Sequence, residues 1–133
     1  MKYCADTWFI LQLFAKDSRS LALIKEARYG KAEIIIPVIV FAEATKKLLQ
    51  RGIPFSFIDQ FFTFVDASEK IEVSVLDKVI AQEAARISLS FQLPMIDSLV
   101  AATAKLSDCS ILLTADSDYH LLIKRKYFKM QSW

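Results

Sequence analysis

The sequence has little of what several common kinds of functional site require. Of its 133 residues only two are Gly, three are Pro, two are Cys and one is His. Two isolated glycines cannot form a Gly-rich phosphate loop, and no Cys and His spacing suits zinc. The single histidine, His120, has no nucleophile to act with. Two cysteines, Cys4 and Cys109, are too few for a disulfide framework. We expect buried thiols in a reducing cytosol, with one bridge as the alternative if the two lie on neighbouring strands.

Strong charge and long apolar runs are also absent. The formal net charge is +2 with a pI near 8.5, which permits nucleic-acid binding without arguing for it. The apolar run 8–14 follows Asp6, contains Gln12 and has no cleavage site after it. It is also too short to span a bilayer. We therefore expect a cytoplasmic protein with no membrane segment.

Apolar residues are abundant, at 54% of the chain, and they fall in short runs separated by longer helical patterns. At this length we predict one domain, residues 1–133, built around one core. Strands that alternate with helices indicate βαβ units and a mainly parallel sheet.

The alternation predicts particular elements. Strands are expected at 2–5, 33–37, 71–75 and 110–114, with a further edge strand within 127–133. Helices are expected at 7–16, 19–29, 38–50, 54–66, 76–91, 96–106 and 117–126, the second of them capped by Ser18.

The helix predicted at 54–66 is rich in aromatic residues. Its spacing places an apolar stripe toward the core, made of Phe57, Ile58, Phe61, Phe62 and Val65. Phe55 and Phe64 flank that stripe. They are either the edges of a wide buried face or part of an apolar groove for a partner.

Four acidic residues lie in or beside segments that look buried: Asp6, Glu43, Asp97 and Asp116. A carboxylate is costly to bury without a partner, and a divalent metal with hard oxygen ligands would serve all four. Such an ion supports phosphodiester hydrolysis. Asp6 and Asp116 directly follow predicted strands, and ligands bind beyond the carboxyl ends of parallel strands.

Each of these acids also has an ordinary structural interpretation. Asp6 could be the N-cap of a helix, and Asp97 could interact with a helix dipole. Asp116 and Asp118 could belong to a turn, and Glu43 could form an ion pair with Lys47. Four separate explanations are then needed where one metal site suffices. Spacing alone leaves the two interpretations nearly equal.

Four segments resemble the motifs of PIN-domain ribonucleases, in order and over essentially the whole chain. The first is Asp6-Thr7-Trp8-Phe9 at a strand end, and the second is Phe41-Ala42-Glu43 early in a helix. The third is 93–104, where Asp97 opens an Ala-rich helix, and the fourth is 112–119, with Thr-x-Asp at a strand end. The chain is similar to the small members typified by toxins of VapC-type toxin–antitoxin pairs.

The resemblance implies a three-layer α/β/α sandwich and Mg²⁺- or Mn²⁺-dependent cleavage of RNA. It implies an acidic pocket made of Asp6, Glu43, Asp97 and Asp116, shaped by the hydroxyl of Thr114, with Asp118 as an additional acid. We expect Asp6, Asp97 and Asp116 nearest the metal and Glu43 orienting the attacking water or a second ion. Without metal, like charges this close should raise at least one carboxyl pKa.

One departure from the family pattern concerns the first motif. Trp8 and Phe9 stand where a small polar residue is often seen, and we expect them to make the pocket entrance bulkier.

The resemblance also implies a small antitoxin as partner and a homodimer, besides the RNA substrate. Three alternatives stay open: a housekeeping RNA-processing nuclease of the same fold, a non-catalytic module that binds RNA or protein, and a receiver-like signalling domain. The last would need an acidic pair after the first strand, but Asp6 is followed by Thr7.

Overall fold

Five parallel strands form one sheet at the centre of the protein. The structure is a computed structural model that describes residues 1–133. The sheet has the order β3-β2-β1-β4-β5, and all neighbouring pairs are parallel. This confirms the predicted parallel sheet, including its edge strand near the end of the chain. The strands are β1 (Lys2–Ala5), β2 (Glu33–Pro37), β3 (Ile71–Ser74), β4 (Ile111–Leu113) and β5 (Lys129–Gln131).

Helices connect the strands, as the alternating pattern predicts. They are α1 (Thr7–Phe14), α2 (Ser18–Arg28), α3 (Val38–Gln50), α4 (Phe55–Asp66), α5 (Lys78–Phe91), α6 (Met95–Leu106) and α7 (His120–Lys124). A short 3₁₀ turn, Ser117–Tyr119, precedes α7, so the helix predicted at 117–126 is in fact two shorter pieces.

Both faces of the sheet are covered by helices. Side chains alternate between the two faces of a strand, yet Ile34, Ile35 and Ile36 are all buried. Parallel strands buried on both faces have continuous apolar sequences of this kind. Helix α6 packs against β1 and β2, and α4 packs against β3. The three-layer α/β/α sandwich is thereby confirmed.

The strand order changes direction between β1 and β4, and open α/β sheets form a ligand-binding crevice at the carboxyl ends of such a pair. From β1 the chain builds β2 and β3 on one side, and β4 and β5 are then added on the other side of β1. Ligands of open α/β sheets bind at such a change of direction. The backbone N–H of Asp6 donates to the carbonyl of Leu113 at 3.1 Å, which fixes the start of this crevice.

The predicted cap of α2 is wrong by one residue. Asp17 occupies the N-cap, with extended backbone, and its carboxylate accepts from the N–H of Ser20 at 3.0 Å. Ser18 already has helical backbone as the first residue of α2, so its hydroxyl cannot cap the helix. Asp is as favourable an N-cap as Ser, so composition alone did not separate the two.

The predicted core stripe of α4 is only partly correct. Ile58 and Val65 are buried, whereas Phe57 is 55% exposed. Phe61 and Phe62 are half-buried against aromatic rings of α1 and α3, so Phe57 is the one residue of the predicted stripe that is exposed.

Both cysteines are buried free thiols, as expected. Cys4 lies on β1, and Cys109 lies just before β4, the neighbouring strand. The alternative of a disulfide bridge is not present in the structure.

None of the helices has, by itself, both the length and the hydropathy needed to cross a bilayer. Helices α5 and α6 have this length and hydropathy only when they are counted as one segment, and the chain bends by 119° at the break between the two helices.

Candidate active site

Asp6 lies at the bottom of the crevice, immediately after β1. It is the N-cap of α1 and is only 8% exposed. Its Oδ1 accepts the N–H of Thr7 at 2.8 Å, and its Oδ2 accepts the hydroxyl of Thr114 at 2.6 Å. A buried carboxylate is tolerated when its oxygens are hydrogen-bonded in this way. The capping interpretation of Asp6 therefore holds, and the same residue also lies at the centre of the candidate site.

Thr114 connects two of the acids. It follows β4 directly and is fully buried. Its hydroxyl donates to Asp6, while the oxygen of the same hydroxyl accepts the backbone N–H of Asp116 at 3.1 Å. One small side chain thus fixes the ends of β1 and β4 relative to each other.

Three further carboxylates converge above Thr114. Oxygens of Asp97, Asp116 and Asp118 all lie within 4.8 Å of one another. Asp116 caps the 3₁₀ turn, with its Oδ1 accepting the N–H of Asp118 at 2.9 Å. Asp97 and Asp116 are half-buried and Asp118 is exposed, so this group faces the solvent side of the crevice.

Asp97 reaches the site from α6, where it stands in the first turn. The N-cap of that helix is Pro94, which has no side chain able to hydrogen-bond. The carboxylate of Asp97 instead accepts the hydroxyl of Tyr119 at 3.3 Å. The sequence did not single out Tyr119, because an aromatic residue in the fourth motif has the pattern of a core residue.

Glu43 stands beside this group rather than in it. Helix α3 begins directly after β2, so Glu43 falls in its second turn and is half-buried. Lys47 pairs with it at 3.5 Å, as the structural interpretation of this residue predicts. The charge of Glu43 nevertheless helps to raise the pKa of Asp6, so the two carboxylates are electrostatically coupled.

The crowding of negative charge shifts the carboxyl pKa values upward. Burial, followed by the charges of Asp116 and Asp6, raises the pKa of Asp97 from 3.8 to about 6. Burial also raises the pKa of Asp6, against the lowering effect of the Thr114 hydrogen bond. The expected rise is confirmed, with burial as the larger cause. No Lys or Arg forms an ion pair with Asp6, Asp97, Asp116 or Asp118.

The structure thus brings together Asp6, Asp97, Asp116, Asp118 and Thr114, with Glu43 alongside. Asp118, predicted only as an additional acid, is in the group with the closest oxygens, whereas Asp6 is not. The reason is local, since both oxygens of Asp6 are directed to Thr7 and Thr114.

The expectation for Trp8 and Phe9 is wrong for one of them. Phe9 is completely buried in the core and cannot narrow the pocket entrance. Trp8 is half-buried and packs edge-on against Trp133, with ring centroids 5.5 Å apart. Side chains one position apart on a helix point about 100° away from each other, so the two rings have different surroundings.

The donor set fits a small divalent cation. It consists only of carboxylate oxygens, the ligands that Mg²⁺ and Mn²⁺ prefer, and it has no positive side chain to balance it. Asp97, Asp116 and Asp118 are placed to hold such an ion, and Asp6 lies beneath them.

Comparison with known protein families identifies the fold and its relatives. The family model described as "PIN domain" matches residues 3–126. The chain belongs to the PIN domain family, whose members are generally nucleases that use divalent metal ions. A search of the curated proteins finds no match.

Solved structures of similar fold come from toxin–antitoxin complexes. A chain of VapBC2 from Rickettsia felis, bound to a DNA fragment from its promoter, has a TM-score of 0.73 and 18% identity, with 100% of this chain and 99% of that chain covered. A chain of VapBC-1 from nontypeable Haemophilus influenzae has a TM-score of 0.70 and 18% identity, with 100% of this chain and 98% of that chain covered. A chain of FitAB bound to the IR36 DNA fragment has a TM-score of 0.71 and 15% identity, with 98% of this chain and 94% of that chain covered. At these identities the likeness concerns the fold.

The charge crowding predicts how stability depends on pH in the absence of metal. Because the pKa of Asp97 is raised from 3.8 to about 6 on folding, the folded protein binds more protons between these values than the unfolded chain does. The free energy of unfolding therefore falls as the pH rises through this range. An amide does not ionise, so the Asp97→Asn variant does not lose stability in this way. We expect the melting temperature of this variant at pH 7 to exceed that of the unchanged protein by on the order of a few degrees.

Melting curves in EDTA at pH 7 and pH 4 measure this effect, which should disappear at pH 4. Asp59→Asn, exposed on α4, is the matched control and should show no such pH-dependent gain. An Asp97→Asn gain that is equal at both pH values would contradict the electrostatic explanation.

Adding a divalent ion should reverse this destabilisation. An ion that binds only the folded protein stabilises it by about 2.7 kcal/mol at 100 times its dissociation constant. We expect Mn²⁺ or Mg²⁺ to raise the melting temperature of the unchanged protein and of Asp59→Asn, but not of the Asp97→Asn, Asp116→Asn double variant. A melting temperature unchanged at millimolar metal would rule out these carboxylates as an ion site.

Proposed function

We propose that the protein is a cytoplasmic, metal-dependent endoribonuclease that acts as the toxin of a VapC-type toxin–antitoxin pair. The observation that carries the proposal is the group of Asp97, Asp116 and Asp118 oxygens above the buried Asp6, at the point where ligands of such sheets bind. Membership of the PIN domain family supports nuclease chemistry, and the complexes of similar fold support the toxin role.

The proposed catalytic residues are Asp6, Glu43, Asp97 and Asp116. Asp97 and Asp116 would hold the ion, and Asp118 would add a ligand directly or through water. When bound, a divalent ion neutralises the phosphodiester charge and activates water at neutral pH. Asp6 keeps its two hydrogen bonds and contributes negative charge beneath the site.

Glu43 is suited to orient the attacking water and to accept its proton. It is half-buried, and its carboxylate is not held by buried hydrogen bonds as that of Asp6 is. Lys47, 3.5 Å from Glu43, is the one basic side chain that an ion pair places beside the acids. Its ammonium group is available to a phosphate of the RNA backbone.

Replacing any one of the central acids by its amide should abolish RNA cleavage in a folded protein. Residues that only hydrogen-bond to metal ligands already contribute about 10–100-fold to activity. We therefore expect Asp6→Asn, Asp97→Asn and Asp116→Asn each to reduce the rate by at least about 100-fold. Cleavage of total RNA with Mn²⁺ or Mg²⁺ measures this, and circular dichroism verifies the fold.

The surface control in this assay is Asp59→Asn, which should cleave at the normal rate. Full activity in a folded Asp97→Asn or Asp116→Asn protein would refute the proposed site. A non-catalytic binding module would show no cleavage in the unchanged protein either.

An apolar groove on another surface suits the proposed antitoxin. The groove has a volume of about 540 Å³ and lies between α1, α2 and α4. Eight of its ten lining residues are hydrophobic, and these include Leu13 and Phe14 of α1, Leu21 and Ile24 of α2, and Phe57 and Phe64 of α4. An amphipathic helix binds a groove of this kind through its apolar face.

The structure revises which aromatic residues of α4 belong to this surface. Phe64 lines the groove, as one of the two interpretations of the sequence proposed. Phe57, predicted to be core, also lines it and is 55% exposed. Phe55 is 57% exposed but does not line the groove.

This pair of equally exposed phenylalanines offers a matched test of the partner surface. We expect Phe57→Ser to weaken the binding of the proposed antitoxin, because it removes an apolar anchor, while Phe55→Ser binds it normally. Truncating an interface anchor costs about 2 kcal/mol or more, a factor of about 30 in dissociation constant. Isothermal titration calorimetry measures binding, and urea unfolding verifies that both variants remain folded. Equal affinity of the two variants would place the partner surface elsewhere.

We further propose that the protein forms a homodimer. Leu89, Met95 and Ile96 lie around the turn between α5 and α6, and all three are exposed. Clustered exposed apolar side chains of this kind are typical of interaction surfaces.

A further inference from the structure

Tyr119 is a buried core residue whose one polar atom lies at the acid site. It is completely shielded from solvent and is among the largest fully buried side chains of the protein. Its hydroxyl donates to Oδ1 of Asp97 at 3.3 Å. A buried phenol without a partner is unfavourable, so a purely structural position would be filled as well by Phe. The hydroxyl therefore calls for an explanation beyond packing.

Asp97 accepts fewer hydrogen bonds than Asp6, and its one hydrogen bond, at 3.3 Å, is longer than the 2.9 Å bond that Asp116 accepts. Asp6 accepts two hydrogen bonds, from Thr7 and Thr114, and Asp116 accepts one from the backbone of Asp118. The carboxylate of Asp97 accepts a single hydrogen bond within the protein, that of Tyr119. Tyr119 occupies only Oδ1, so Oδ2 of Asp97 makes no hydrogen bond within the protein.

We propose that Tyr119 is a positioning residue that holds the Asp97 carboxylate in the orientation required to bind a divalent ion. This inference rests on the proposed function. Tyr119 ends the same 3₁₀ turn that Asp116 caps and that contains Asp118. One short segment therefore supplies two carboxylates and fixes the third, which comes from a different helix.

The protonation state of Tyr119 is consistent with this role. Burial and the charges of Asp6 and Asp97 raise the pKa of the phenol above its ordinary value of 10.0. The hydroxyl is thus a hydrogen-bond donor throughout the neutral range. Because the side chain is completely buried, it cannot contact RNA itself.

The length of the hydrogen bond limits the expected effect. At 3.3 Å it exceeds the roughly 2.7–2.8 Å typical of O–H···O bonds. Residues that orient metal ligands contribute about 10–100-fold to metal affinity. Because this hydrogen bond is long, we expect Tyr119 to contribute at the lower end of that range, about tenfold.

Tyr119→Phe removes the hydroxyl and keeps the ring. We expect the dissociation constant for Mn²⁺, measured by isothermal titration calorimetry, to rise about tenfold. RNA cleavage should fall at low Mn²⁺ and recover at saturating Mn²⁺, with the KM for RNA unchanged. Tyr127→Phe is the matched control, because its ring packs on Phe91 and its hydroxyl makes no hydrogen bond within the protein. It should bind Mn²⁺ and cleave RNA normally.

The outcomes separate this inference from the proposed function. An unchanged Mn²⁺ dissociation constant in Tyr119→Phe, with a normally active unchanged protein, would overturn the positioning role and leave the nuclease function intact. A cleavage defect that saturating Mn²⁺ does not repair, or a large drop in metal-free melting temperature, would show that Tyr119 acts by another route and would also overturn it. An unchanged protein that neither binds Mn²⁺ nor cleaves RNA would refute the proposed function and the inference together.

Discussion

The hydrogen bond from Thr114 to Asp6 joins the ends of the two central strands and makes the acid site possible. Its 2.6 Å length connects residues that are 108 positions apart in the chain. It satisfies one oxygen of a carboxylate that would otherwise be costly to bury. The same hydroxyl accepts the N–H of Asp116, and the backbone N–H of Thr114 donates to Gln131 in β5. Removing the hydroxyl would therefore leave a buried acid unsatisfied and free the turn that carries Asp116.

The carboxylates that the proposed chemistry requires lower the stability of the folded protein, because they lie close together. Four aspartates meet without a basic partner, and the raised pKa of Asp97 shows that its ionised form is disfavoured in the folded protein. An arrangement of this kind is stabilised by a bound cation rather than by the chain itself. Two hydroxyl groups donate hydrogen bonds to these acids, that of Thr114 to Asp6 and that of Tyr119 to Asp97.

Helix α1 joins the two surfaces that matter for the proposed function. Asp6 caps its first turn within the acid site, and Leu13 and Phe14 of its last turn line the apolar groove. The helix has eight residues, so these surfaces are only about 12 Å apart along its axis. A partner seated in the groove would contact the helix whose other end is anchored in the acid site.

Local sequence patterns are sufficient to predict the parallel sheet, the positions of its helices and the four acids that approach its carboxyl edge. These features follow from local periodicity, from residues that directly follow strands, and from motifs spread over the whole chain. The directions of the carboxylate oxygens depend on the folded chain. Those of Asp6 point to Thr7 and Thr114, and one oxygen of Asp118 lies close to Asp97 and Asp116. The exposure of Phe57 and the contact of the Tyr119 hydroxyl with an acid 22 residues away also depend on it. Side-chain direction and long-range partners depend on packing between distant segments, which a helical or strand period does not encode.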